Sequence, residues 1–266
     1  MHPINSRNHF TALFIAFLST FIPQLQSETP LLQKSNRSSP IRVLLIAGQN
    51  NHDWKKSNPV LAKILEQEKH FKVTIYNSPP NRAPETAWED WEPEFGDYDV
   101  VVMNYNGQMW PEDVRKEFED YISGGGNAVI IHAANNSFNG WKEYEQMVGL
   151  LWRGKNFGYS IYYDKDGKQV KEEPGQGRNM GHGGVYDWMM TTRDMKHPIT
   201  QGMPKKWMHH QDELYHGQRG PAENMNILLS AYSDRTKGGT GFDEPIVWWV
   251  PYGKGKVLTN VMGHVG

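Results

Sequence analysis

The chain has 266 residues, with 28 Lys plus Arg against 30 Asp plus Glu, 11 His and no Cys, for a formal net charge of −2. The absence of Cys excludes a disulfide framework, a thiolate nucleophile and a Cys-based zinc or iron–sulfur site, and the near-neutral balance without a long basic run gives no footprint for nucleic acid. Hydrophobic residues at 38%, with 10 Trp, 12 Tyr and 10 Phe, suffice for one sizeable core, and the Gly and Trp content suits a loop-rich, carbohydrate-type surface.

In chain order, Met1 to Ser27 reads as a secretory signal: polar at first, with Arg7 and His9, then apolar from Phe10 to Ile22. That block is short for a permanent span, which needs about 20 residues, so a membrane is met only if the segment stays uncleaved. The location expected is periplasmic or extracellular. Residues 28–40 are rich in Ser, Pro, Gln and Lys and read as a disordered tether.

The domain is expected over residues 41–266. IRVLLIAG, from Ile41, is a buried strand ended by Gly48; PVLAKILEQEKH follows with helical spacing of Val60, Leu61, Ile64 and Leu65 behind Pro59. FKVTIY and YDVVVMNY are the next strands. A helix from Pro111 carries Val114, Phe118, Tyr121 and Ile122 on one face and ends in glycines, and NAVIIHAA is a fourth strand. From Trp152 to about Met190 the rhythm breaks into a Gly-rich, aromatic insertion whose DKDG marks a hairpin turn. Strands resume as NILLSAY, PIVWWV and KVLTNVM. The alternation predicts an α/β fold around a mostly parallel sheet with right-handed crossovers.

Ligands of such sheets bind at the carboxyl ends of the strands, so residues just after each strand are the site candidates. They are Asn50, Asn51, His52 and Asp53 after the first strand, Asn104 and Asn106 after the third, His132, Asn135 and Asn136 after the fourth, and His264 after the last. Asp53 reads better as a helix cap. A further polar knot, HHQDELYH, supports two readings. If helical, His209, Glu213 and His216 share a face and approach a divalent metal. In the preferred reading Asp212 and Glu213 orient sugar hydroxyls or act as general acid and base beside an imidazole.

No GxSxG elbow, Walker motif or GxGxxG follows a strand, so neither a serine-hydrolase mechanism nor a nucleotide cofactor is expected, and no cofactor beyond a possible divalent metal is predicted.

Taken together, LLIAGQNNHDW, HAANNSF, DELY and GKGKVLTNVMGH resemble the trehalose-utilization (ThuA-like) family from about Ile41 onward. The resemblance implies a flavodoxin-like, three-layer α/β sandwich similar to class I glutamine amidotransferases. The amidotransferase nucleophile, a Cys after a central strand, is replaced by His132 in a chain without Cys, so that activity does not transfer. The resemblance implies carbohydrate processing and points to His52, His132, Asp212, Glu213 and His264. Family domains run past the Gly-His pair, whereas this sequence stops at Gly266, which implies a site short of one wall.

From these readings the leading expectation is an enzyme acting on a glycoside or keto-sugar: His132, Glu213, Asp212 and His264 catalyse, while Asn51, His52, Asn104, Asn135 and Trp141 hold the substrate. The alternatives are a non-catalytic sugar-binding domain that stacks Trp54, Trp110 and Trp141 on its ligand, and a metal-assisted hydrolase.

Overall fold

The structure, a computed structural model, describes residues 39–264 apart from Glu68, so the signal segment and nearly all of the tether lie outside the described residues. Four strands come first: β1 (Ile41–Ala47), β2 (Phe71–Asn77), β3 (Val100–Met103) and β4 (Asn127–Ile131). They alternate with α1 (Trp54–Glu66) and α2 (Glu112–Gly124), and α3 (Lys142–Val148) follows β4. The remaining strands are β5 (Ser160–Tyr163), β6 (Gln169–Glu172), β7 (Tyr186–Thr192), β8 (Lys206–Asp212), β9 (Asn226–Tyr232), β10 (Asp243–Tyr252) and β11 (Gly255–Asn260). No helix among the described residues is long and apolar enough to cross a membrane.

The main sheet runs β2-β1-β3-β4-β11-β10-β9-β7-β8, with β5 on β10 and β6 on β5. From β2 to β11 every pair is parallel; from β11 to β8 every pair is antiparallel. The sheet is therefore mixed, which corrects the expectation of a mostly parallel one. The cause lies in the connections. A parallel pair needs a long crossover, whereas β10 and β11 are joined through Gly253 and Lys254, too short for anything but a hairpin. The apolar runs of β9 and β10 report two covered faces, not strand direction.

Alternation along β1 sends Val43 and Leu45 to one face and Leu44 and Ile46 to the other, because successive β-carbons point to opposite sides. The first face packs under Leu65 of α1 and continues beneath β7 to β10; the second packs under Phe118 of α2 and Tyr144 of α3 within an aromatic cluster. Helix α1 begins before Pro59, which lies inside it: Asp53 caps the helix by accepting the Lys56 N–H, as its sequence reading anticipated. The DKDG hairpin is present as β5–β6.

Candidate functional site

Between β1 and β3 the chain order reverses direction across the sheet, and loops that part at such a point leave a crevice beyond the carboxyl ends. β4 and β11 run parallel to β3 and deliver their ends to the same rim. His52 follows β1, His132 follows β4 and His264 follows β11. Their rings meet, with centroids 4.7 Å apart for His52–His132 and for His52–His264, and 5.5 Å for His132–His264. One nitrogen of each lies within 4.8 Å of the others.

His132 is placed by an unusual backbone. β4 ends at Ile131, and a 3-10 turn begins at His132 with φ of +44°. A left-handed conformation costs a residue with a β-carbon on the order of 1 kcal/mol. Both ring nitrogens are engaged in compensation. Nδ1 lies 2.9 Å from the Val261 carbonyl, which can only accept, so Nδ1 carries the hydrogen; Nε2 then accepts from the Tyr215 hydroxyl at 3.1 Å. Burial pushes this imidazole down to about 4, opposed by the Val261 bond and aided by His52. His52 is lowered too, by burial first and by His264 second. Near neutral pH both rings are uncharged, each with one lone-pair nitrogen, that of His132 facing the Tyr215 hydroxyl.

Asp212, almost fully buried at the end of β8, fixes the remaining wall. Its oxygens accept the N–H groups of Glu213 (2.9 Å), Gly263 (2.8 Å) and His264 (3.0 Å) and lie 3.2 Å from His209 Nε2. It positions both Glu213 and His264. Glu213 then lies between two imidazoles, Oε1 3.3 Å from His182 Nδ1 and Oε2 3.1 Å from His264 Nδ1. Neither contact has hydrogen-bond angles, and both ring nitrogens are buried without a hydrogen-bond partner. His182 comes from the inserted segment and stacks on Trp152 at 6.0 Å, whose indole packs 4.4 Å from Tyr215.

Of the residues expected from sequence, His52, His132, Glu213 and His264 are brought together, with Asp212 behind them. Asn51 joins at the exposed rim, its Nδ2 3.1 Å from His52 Nε2 and its Oδ1 accepting from Asn106. Three others are interior residues. Asn104 bonds Ser57, Asn58 and Asn50, bracing the start of α1. Asn135 is fully buried and donates to Gln218. Trp141 is 1% exposed and donates to Glu119 from within the aromatic core, so it offers no face to a sugar, and Trp110 at 2% offers none either. Following a strand places a residue at the rim but does not say which way its side chain turns.

The metal set drawn from HHQDELYH is not assembled. The segment is the strand β8 up to Asp212, where alternate side chains point to opposite faces and no helical face exists. His209 packs on Trp188 and faces Asp212, while His216 is buried with its Nδ1 3.2 Å from Ser233 Oγ. Among the described residues, the His, Asp and Glu group with ligand spacing is His52, His132 and His264. Sequence reasoning missed His182, Tyr215 and Trp152. His182 sits in GHGG without periodicity, and Tyr215 was visible only as the last letter of DELY.

The sequence pattern of the ThuA family, described as trehalose utilisation, matches residues 42–266. A solved ThuA-like protein from Parabacteroides merdae ATCC 43184 is 40% identical, with 86% of this chain and 81% of that chain covered and a TM-score of 0.80. A ThuA-like protein from Bacteroides uniformis ATCC 8492 is 17% identical over 91% of this chain and 86% of its own, with a TM-score of 0.57, and speaks for the fold alone. No curated protein matches the chain.

Proposed function

The chain belongs to the ThuA, trehalose-utilisation family, and from that premise we propose that it is a carbohydrate-processing enzyme that moves protons between Glu213 and the surrounding imidazoles while acting on a glycoside or keto-sugar. The observation that carries this reading is the carboxylate of Glu213 between His182 and His264, at 3.3 and 3.1 Å, with His264 itself clustered against His52 and His132.

A carboxylate so placed takes a proton from a hydroxyl or a water, becoming a neutral acid, and can hand that proton to a neighbouring imidazole, which then carries the positive charge; this is the task of a general base. His52, uncharged near neutral pH and only half-buried, hydrogen-bonds a sugar hydroxyl beside His132, whose own ring nitrogens are held by Val261 and Tyr215, and the half-buried indole of Trp152 offers a ring face. Asn51 supplies an amide at the rim. Asp212 acts through its backbone N–H partners and not on substrate. The apolar Phe10–Ile22 block supports a secreted or periplasmic location for this activity.

The test is turnover of a panel of disaccharides, trehalose included, and of their keto derivatives, with products identified by mass spectrometry. Glu213→Gln removes the base while keeping the shape, and is expected to lower turnover about 10²- to 10⁴-fold on whichever sugar is processed. Turnover at the parent rate would overturn the assignment.

A further inference from the structure

We propose that His52, His132 and His264 together bind one divalent transition-metal ion of the zinc class and leave at least one coordination position for water or a substrate oxygen. The donors are right in kind: three imidazoles, each from a different strand end, in a chain without thiolates. Three protein ligands with a position to spare is the pattern of a catalytic zinc site, not a structural one.

The spacing is close to what the ion needs. Metal–nitrogen bonds of about 2.0–2.1 Å place tetrahedral ligands roughly 3.4 Å apart, and the three nitrogens already lie within 4.8 Å of one another. His52 and His264 are half-buried and can swing the remaining distance, while His132 is anchored. The anchor also selects the ligand atom. The Val261 carbonyl holds the hydrogen on Nδ1 and leaves the Nε2 lone pair inward, the second-shell arrangement typical of metal-bound His. At His264 the carboxylate of Glu213, 3.1 Å from Nδ1, is the matching acidic neighbour. The Tyr215 hydroxyl, present partner of His132 Nε2, is the group the ion displaces. Binding of the ion stands apart from the carbohydrate reading, whereas its use in catalysis rests on it.

The full chain, stripped with chelator and dialysed free of it, is titrated with Co²⁺ alone while visible absorption is followed, and with Zn²⁺ by calorimetry. One ion per chain is expected, with affinity at least about 100-fold weaker in His52→Ala and in His264→Ala and unchanged in His210→Ala, a residue of the exposed β8 edge. The His264 side chain is 32% exposed, so its loss spares the fold, which circular dichroism verifies. Absence of stoichiometric binding by the folded parent protein, or undiminished binding by the His52→Ala/His264→Ala double variant, overturns the site. Loss of turnover in Glu213→Gln with no metal bound refutes the ion and keeps the acid–base reading; tight metal binding with every sugar untouched does the reverse.

Discussion

Glu244 carries the clearest pH consequence of any single side chain. It is 3% exposed, with Oε1 2.6 Å from Thr240 Oγ1 and Oε2 accepting the Gly217 N–H at 3.2 Å. Burial pushes its carboxyl up to about 7, and the two hydrogen bonds only partly offset that. An unfolded Glu titrates near 4.3. Between about pH 4.3 and 7 the unfolded chain therefore releases a proton that the folded chain keeps, so the stability Glu244 contributes is complete below that range and lost by its upper end. Glu244→Gln does not ionise. It is expected to remove a pH-dependent loss on the order of 2–3 kcal/mol, seen as urea midpoints for pH 5 and pH 8 that differ less in the variant than in the parent. At this scale the site was partly legible. His52, His132 and His264 were visible because polar residues directly after apolar strands have few structural reasons to be there. Asn104 and Asn135 shared that signal and turned inward, and Trp141, expected to offer a ring face, did too, since the direction of a side chain depends on a partner elsewhere in the chain, such as Glu119 for Trp141.

At the scale of elements, the inserted segment is held by one buried cation. The Arg219 side chain is fully buried; its Nη2 bonds Glu172 Oε2 at 2.9 Å and the carbonyls of Gln176 and Arg178 at 2.6 and 3.0 Å, and Nη1 reaches the Glu173 carbonyl at 3.3 Å. The stretch it ties down leads directly to His182. Arg219→Met fills much of the volume but leaves these acceptors without a donor and Glu172 without its partner, at a cost of about 3–5 kcal/mol. Faster hydrogen exchange and proteolysis confined to residues 173–182 should accompany it, while β1 to β4 stay protected. β1 and β9 were legible because long apolar runs between turn signals are nearly unambiguous, and β2 because FKVTIY alternates and is rich in β-branched and aromatic residues. β8 was not: KWMHHQD on the sheet edge buries only two of its seven residues, Trp207 and Asp212, and gives neither an apolar run nor a clean alternation. The start of α1 was misplaced because Pro59 looked like a first-turn proline; it is exposed inside the helix, where the carbonyl it displaces can turn to water.

At the scale of the molecule, β11 is the seam of the sheet, parallel to β4 on one side and antiparallel to β10 on the other. Leu258 at its middle is 1% exposed within the core shared by both halves. Leu258→Ala is expected to cost about 2–5 kcal/mol and to lower a single melting transition, with near- and far-ultraviolet circular dichroism still coinciding; two separated transitions would mean that the halves fold independently. The α/β class could be read from the strand and helix rhythm, but the change from parallel to antiparallel pairing could not, because pairing partners are set by long-range topology and not by any local pattern. The same placement has a bearing on biosynthesis. β11 follows every other described strand in sequence, so until it is made β4 and β10 have no strand between them and each lacks its neighbour on that side. His264 comes out later still. The imidazole trio therefore closes only after translation has passed the seam, and a polypeptide terminated before it lacks the third ring.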